Sequence, residues 1–215
     1  MAKEKHQFSS LAETVAIFIM IMLLIWFPFS RFWASFGGIA LCILLSQFVL
    51  NKDGLNGTGL KPDCFSRCFY EEGERLCGII GLLVMAGFGV LILTGYSRSF
   101  DFGMLVQVPI FLGWAFIQQY VLGYFTSRFN DYYCGSQVIN VHLGAAFIFS
   151  VVHFPNLFLI NICFIGGFAS SVIFLRYRNI YFLTLAQFLI SAMINHITPD
   201  SISHGMRIGP GYFLN

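Results

Sequence analysis

Six stretches of this sequence contain no charged side chain: Thr14 to Ser30 (17 residues), Phe32 to Asn51 (20), Leu76 to Ser97 (22), Phe102 to Ser127 (26), Tyr132 to Leu175 (44) and Asn179 to Pro199 (21). A helix needs about 20 apolar residues to cross ~30 Å of hydrocarbon, so each stretch allows one span and the longest allows two. The break in that longest stretch is expected at His153-Phe154-Pro155-Asn156, because proline pushes the preceding residue out of the helical region. The expected fold is therefore an all-α polytopic membrane protein, a single domain over residues 1–215 with a bundle of about seven spans. Composition agrees, since only 10% of residues are charged and mean hydropathy is +0.76, whereas a soluble domain carries about a quarter.

Basic residues set the expected orientation. With the N-terminus in the cytoplasm, the inside segments hold Lys3, Lys5, Lys52, Lys61, Arg67, Arg75, Arg128, Arg176 and Arg178, and the outside segments hold Arg31, Arg98 and Arg207. That bias favours N-in, C-out. The first apolar stretch is span-length and lacks a small-x-small cleavage site, so it reads as a retained helix rather than a signal peptide.

The longest hydrophilic segment, Lys52 to Arg75, is expected to be a cytoplasmic loop. Its Gly54, Asn56, Gly57 and Gly59 suggest turns, and its second half reads as a short interfacial helix. Glu71, Glu72 and Glu74 read as a solvated face, and Glu13 as a residue reaching the headgroups. The cysteines Cys42, Cys64, Cys68, Cys77, Cys134 and Cys163 lack zinc-site spacing and read as reduced thiols, with membrane-proximal acylation of Cys64 or Cys68 the alternative. Small residues at Gly37-Gly38, Gly78, Gly81, Gly87, Gly89, Gly144 and Gly166-Gly167 suit close helix approach.

Between Phe102 and Pro199 there is one carboxylate, Asp131, expected in a loop, yet Gln118, Gln119, His142, His153, Gln187 and Asn195 lie inside apolar stretches. Polar side chains in a membrane span need a reason. At a rise of ~1.5 Å per residue, Gln118, Gln119 and Gln187 lie about 12 Å from the cytoplasmic face and His153 about 20 Å. Three helices thus carry polar groups near one level, and only one of the adjacent glutamines need face the bundle centre. Interhelical hydrogen bonding alone accounts for such groups at roughly 0.6–2 kcal/mol each.

These residues also carry a resemblance. Phe149-Ser150-Val151-Val152-His153, followed by Gly166-Gly167, the basic turn Arg176-Tyr177-Arg178-Asn179 and Gln187-Phe188-Leu189-Ile190-Ser191, resembles the CPBP-type intramembrane proteases. That group includes the type II CAAX prenyl endopeptidases and the Abi bacteriocin-immunity proteins. Its motifs are Glu-Glu-x-x-x-Arg, Phe-x-x-x-His and His-x-x-x-Asn, in that order. Gln118-Gln119-Tyr120-Val121-Leu122-Gly123 aligns with the first motif, His153 ends the second, and Gln187 with Ser191 aligns with the third. The resemblance covers about half the chain, from Trp114 onward. It implies hydrolysis of a peptide bond in or near the membrane, with His153, Gln118, Gln119, Gln187 and Ser191 at the catalytic positions. The expected location is the inner (plasma) membrane of a bacterium.

Here the motif's carboxylates are amides, its second histidine is Gln187, its asparagine is Ser191 and its arginine is Gly123. An amide orients water but cannot accept its proton. No other catalytic set stands out: there is no His-Glu-x-x-His, and Ser170, Ser171 and Ser191 have only His142 or His153 as candidate bases. His196, Asp200 and His204 form a polar cluster near the outer face, read as a structured loop, with metal binding or capping of the bundle mouth as its other readings. No cofactor and no metal is assigned. Two readings stay open. One is an intramembrane endopeptidase with altered motifs; the other is a non-catalytic relative binding a hydrophobic peptide, lipid-modified tail or partner helix. Both expect membrane lipid and a hydrophobic or membrane-protein substrate or partner, and no nucleic acid. A transporter is disfavoured by the lack of repeats and intramembrane charges.

Overall fold

A computed structural model describes residues 2–27, 32–61, 65–94, 103–133 and 137–213 of the chain; Arg31, Cys64, Arg98 and Cys134 lie outside them. The described residues contain helices and turns and no strand. The principal helices are α1 (Ala2–Trp26), α2 (Phe32–Leu45), α3 (Leu55–Thr58), α4 (Phe65–Thr94), α5 (Gly103–Tyr133), α6 (Val138–Val151), α7 (Leu157–Tyr177), α8 (Ile180–Ile197) and α9 (Asp200–Ser203). A π-helical turn, Ser46–Leu50, continues α2, and short 3-10 turns complete the C-terminal segment. Among the described residues, five helices are long and apolar enough to cross a membrane, in α1, α4, α5, α7 and α8. Two shorter apolar helices, Gly37–Leu50 and Val138–Val151, accompany them.

The long apolar stretch breaks where proline requires it. Helix α6 ends at Val151, residues 152–155 form a turn, and Asn156 caps α7 by accepting from the Leu159 amide at 3.1 Å. Asn179 caps α8 in the same way, accepting from Phe182 N at 2.9 Å. Asn and Asp favour this position because a side-chain oxygen takes up one of the free amides at a helix start.

Helix α5 is the hub and packs against α1, α6, α7 and α8. One core joins Ile17 and Ile43 to Leu122, Tyr124, Phe125, Val141, Ala145 and Phe149. A second joins Cys68 and Leu76 of α4 to Phe174, Tyr177, Ile180 and Phe182. Cys68 is fully buried in it, which closes off acylation at that thiol.

Five expectations change. The acidic segment is not a separate interfacial helix but the first turns of the 30-residue α4. Glu72 is not solvated; it is 4% exposed and paired with Arg75 at 2.8 Å and Arg176 at 3.4 Å. Glu71 accepts from the Tyr177 hydroxyl at 2.7 Å and pairs with Arg67 and Arg176, which leaves Glu74 as the exposed member of the trio. Asp131 lies within α5, not in a loop, and pairs with Arg128 at 3.2 Å. Glu13 turns inward and accepts from Ser46 Oγ at 2.8 Å and Asn51 Nδ2 at 3.1 Å. Of the glycines, Gly87, Gly144 and Gly167 meet neighbouring helices closely, whereas Gly37, Gly38, Gly78, Gly81, Gly89 and Gly166 face open space.

Candidate functional site

The three glutamines meet. Gln187 of α8 donates through Nε2 to Gln118 Oε1 and accepts through Oε1 from Gln119 Nε2, so one side chain bridges both adjacent amides of α5. Gln119 Nε2 also reaches Ser170 Oγ of α7 at 3.5 Å. The expectation that only one of the pair need face inward is therefore revised, because both are engaged. Gln119 is 2% exposed, and its Oε1 has no hydrogen-bond partner among the described residues.

His153 stands apart from this amide cluster. It lies in the turn beyond α6, 6% exposed, with Nδ1 bonded to the Phe149 carbonyl at 2.9 Å and Nε2 facing Cys163 Sγ at 3.5 Å. The carbonyl can only accept, so Nδ1 carries the proton and Nε2 presents its lone pair to the thiol. Ser191 lies on an exposed part of α8. Ser171 does meet an imidazole, with Oγ 2.9 Å from His142 Nδ1, but it is fully buried and also donates to the Phe168 carbonyl at 2.9 Å. That pair is helix-to-helix glue; burial denies it a substrate.

What joins Gln118 to His153 is a cavity of about 540 Å³. Its walls come from α1 (Ile21, Leu24, Ile25), α2 with Ile39, Ala40 and Ile43, α5 from Trp114 to Phe125, the end of α6, and the C-terminal Ile208, Pro210 and Gly211. Gln118, Tyr120, His153 and Trp114, through its indole N–H, are its uncharged polar members, and no Asp, Glu, Lys or Arg lines it. The C-terminal segment is fixed there by Asn156 Nδ2, which donates to the Ser203 carbonyl at 2.8 Å and the Arg207 carbonyl at 3.1 Å. Gly209 N donates to the Phe154 carbonyl at 2.9 Å. Gly209 has φ +53°, and a β-carbon there would lie 2.7 Å from Ile25 Cγ2, so this contact requires glycine.

Gly123, aligned with the motif arginine, has no room for a side chain, since a β-carbon would sit 2.9 Å from the Phe174 ring. The Arg178 guanidinium stacks on that ring at 5.1 Å and donates to Ser127 Oγ at 2.8 Å and the Gly57 carbonyl at 3.2 Å. Burial pushes its pKa down from the ordinary value, opposed by the nearby Asp131 and Asp53. Beside it, Arg128 is 1% exposed and ion-paired with Asp53 and Asp131.

Two partners went unnoticed in the sequence. Gln47 is 1% exposed and accepts from the Tyr120 hydroxyl, and Ser46 bonds Tyr124 Oη at 3.1 Å. An amide inside the uncharged Phe32 to Asn51 stretch was a readable signal for Gln47. Tyr120 and Tyr124, two of nine tyrosines, offered none. Among the described residues no group of three or more His, Cys, Asp or Glu could hold a metal ion. His204 instead bonds Tyr212 Oη at 3.0 Å, so its segment is a structured loop that caps the cavity. Compared with protein-family models, with curated proteins and with solved structures, the chain matches none.

Proposed function

We propose that this chain is a CPBP-type, seven-span membrane protein, N-terminus in the cytoplasm of a bacterium, that has become a binding protein. It receives a hydrophobic ligand in its apolar cavity rather than cleaving a peptide bond. The observation that carries this reading is the pairing of Gln118 with His153 on the wall of one cavity of about 540 Å³ that no carboxylate lines. A cavity of this size, mostly apolar with a few polar groups, has the form of a ligand site.

The absence of catalysis follows from the partners of each polar group. Gln118, Gln119 and Gln187 hold one another, and none can take a proton from water. His153 has both nitrogens engaged, by the Phe149 carbonyl and the Cys163 thiol, and no carboxylate among its bonded partners. Loss of a general base typically forfeits about 10²–10⁴-fold in rate.

The test compares membrane-protein termini by mass spectrometry in cells carrying the wild type, a deletion and His153→Ala. Identical termini in all three are expected. A terminus present with the wild type and lost in both others would establish cleavage and restore the endopeptidase reading. The double variant Gln118→Glu/Gln187→His, which returns a carboxylate and an imidazole, is the constructive counterpart: a new terminus in that strain alone would tie the lost activity to these two positions.

A further inference from the structure

We infer that the occupant of the cavity is a single hydrocarbon chain of a membrane phospholipid, with its ester at Gln118, and not a length of polypeptide; the inference rests on the cavity being a binding site. The reason is the scarcity of free polar groups on its wall. His153 spends Nδ1 on the Phe149 carbonyl and Nε2 on Cys163, Tyr120 donates its hydroxyl proton to Gln47, and Gln118 Oε1 accepts from Gln187. What is left is the Gln118 Nε2 amide and a lone pair on the Tyr120 oxygen. Of the two only the Gln118 amide can donate, and that one donor satisfies one ester carbonyl.

An extended peptide needs far more. Every non-proline residue brings one backbone donor and one acceptor, and each left unpaired in an apolar surrounding costs several kcal/mol. Ile21, Leu24, Ile25, Ile39, Ile43 and Val121 offer only side-chain hydrocarbon to such groups. A hydrocarbon chain carries no such demand. Charge selects further among chains. No Lys or Arg lines the cavity, so the carboxylate of a free fatty acid would lie there without a counter-ion, and a charged group so placed is costly. An esterified chain with its phosphate left outside meets no such penalty. Ile208, Pro210 and Gly211 add apolar or backbone atoms along one side, which also suits a hydrocarbon chain.

The experiment uses the full-length protein in vesicles of phosphatidylethanolamine and phosphatidylglycerol doped with a phosphatidylcholine carrying a diazirine near the end of one acyl chain. Illumination is expected to attach the probe to the lining residues Ile39, Ile43 and Val121, located by peptide sequencing, as well as to outward-facing Leu82 and Met85 of α4. Ala40→Trp and, separately, Val121→Phe fill the cavity and are expected to lower the inner adducts by about tenfold, equivalent to ~1.4 kcal/mol of affinity, with the α4 adducts unchanged. Adducts confined to α4, or inner adducts that survive both substitutions, would overturn the inference. Two further probes are run in parallel, a hydrophobic peptide with a diazirine side chain and a peptide bearing the same diazirine acyl chain on cysteine. If either labels the cavity while the phospholipid does not, the occupant is wrongly assigned but the cavity still binds. If none of the three labels it, the binding reading falls as well.

Discussion

Two of the polar regions of the bundle are built differently. At the end where residues 51–60, 127–131 and 176–180 meet, the polarity is ionic: Arg128 lies between Asp53 and Asp131, Arg178 caps α7, and Arg176 joins Glu71 and Glu72. Between the helices it is neutral, made of Gln118, Gln119, Gln187, Gln47, Tyr120 and His153. A buried ion must have its counter-ion in place, whereas an amide needs only a hydrogen-bond partner. The difference teaches where this chain tolerates change: the ionic end holds the helices in register, and the neutral interior shapes a cavity.

The sharpest break in this contrast is Asp53→Ala. It leaves the fully buried Arg128 with Asp131 alone, and about 3 kcal/mol of stability should be lost in a detergent unfolding titration. The double variant Asp53→Asn/Arg128→Met, which removes both charges, should recover most of that loss. Next in size is Gly123→Leu, which drives a side chain into Phe174 and should cost about 1–3 kcal/mol by the same titration. Adding Phe174→Ala should relieve part of the clash, and no relief would mean that Phe174 is not the obstacle. Gln187→Leu removes the bridge between Gln118 and Gln119 at about 1–2 kcal/mol, less than the ionic change. A loss as large as that of Asp53→Ala would erase the contrast between the two regions. Asn156→Ala should cost about 0.5–2 kcal/mol and raise protease cleavage in residues 200–213, since it loses a helix cap and two bonds to that segment. Smallest is Glu74→Gln on the exposed side of α4, expected within about 0.5 kcal/mol of wild type.

The helices were legible because uncharged length is a strong signal, and the turn at His153 to Asn156 was legible because Pro155 forbids a continuing helix. Gln118, Gln119 and Gln187 could be brought to one level by counting residues. Counting could not show that Gln187 would bond both neighbours, because that depends on how far α8 is rotated and shifted against α5. It also could not separate the amides from His153, which sits past the end of α6 and faces Cys163 and the cavity. The buried ion pairs were missed for a different reason. Asp53 and Arg128, like Glu72 and Arg176, lie far apart in sequence, and each looks like an ordinary loop or helix-end charge until the bundle closes. Pattern along the chain reports which face of a helix is apolar, but partners across the bundle come only from packing.

The C-terminal wall of the cavity carries a consequence for the order in which the molecule is made. Ile25 and Ile39 emerge from the ribosome early, while Ile208, Pro210 and Gly211, which close the same space, are added only after α8 has been translated. At a synthesis rate of about 5–20 residues per second, the compartment stands open for several seconds after its wall at His153 is made. During that interval membrane lipid has free access to it. When the Asn156 amide finally takes hold of the Ser203 and Arg207 carbonyls, the space gains its last wall.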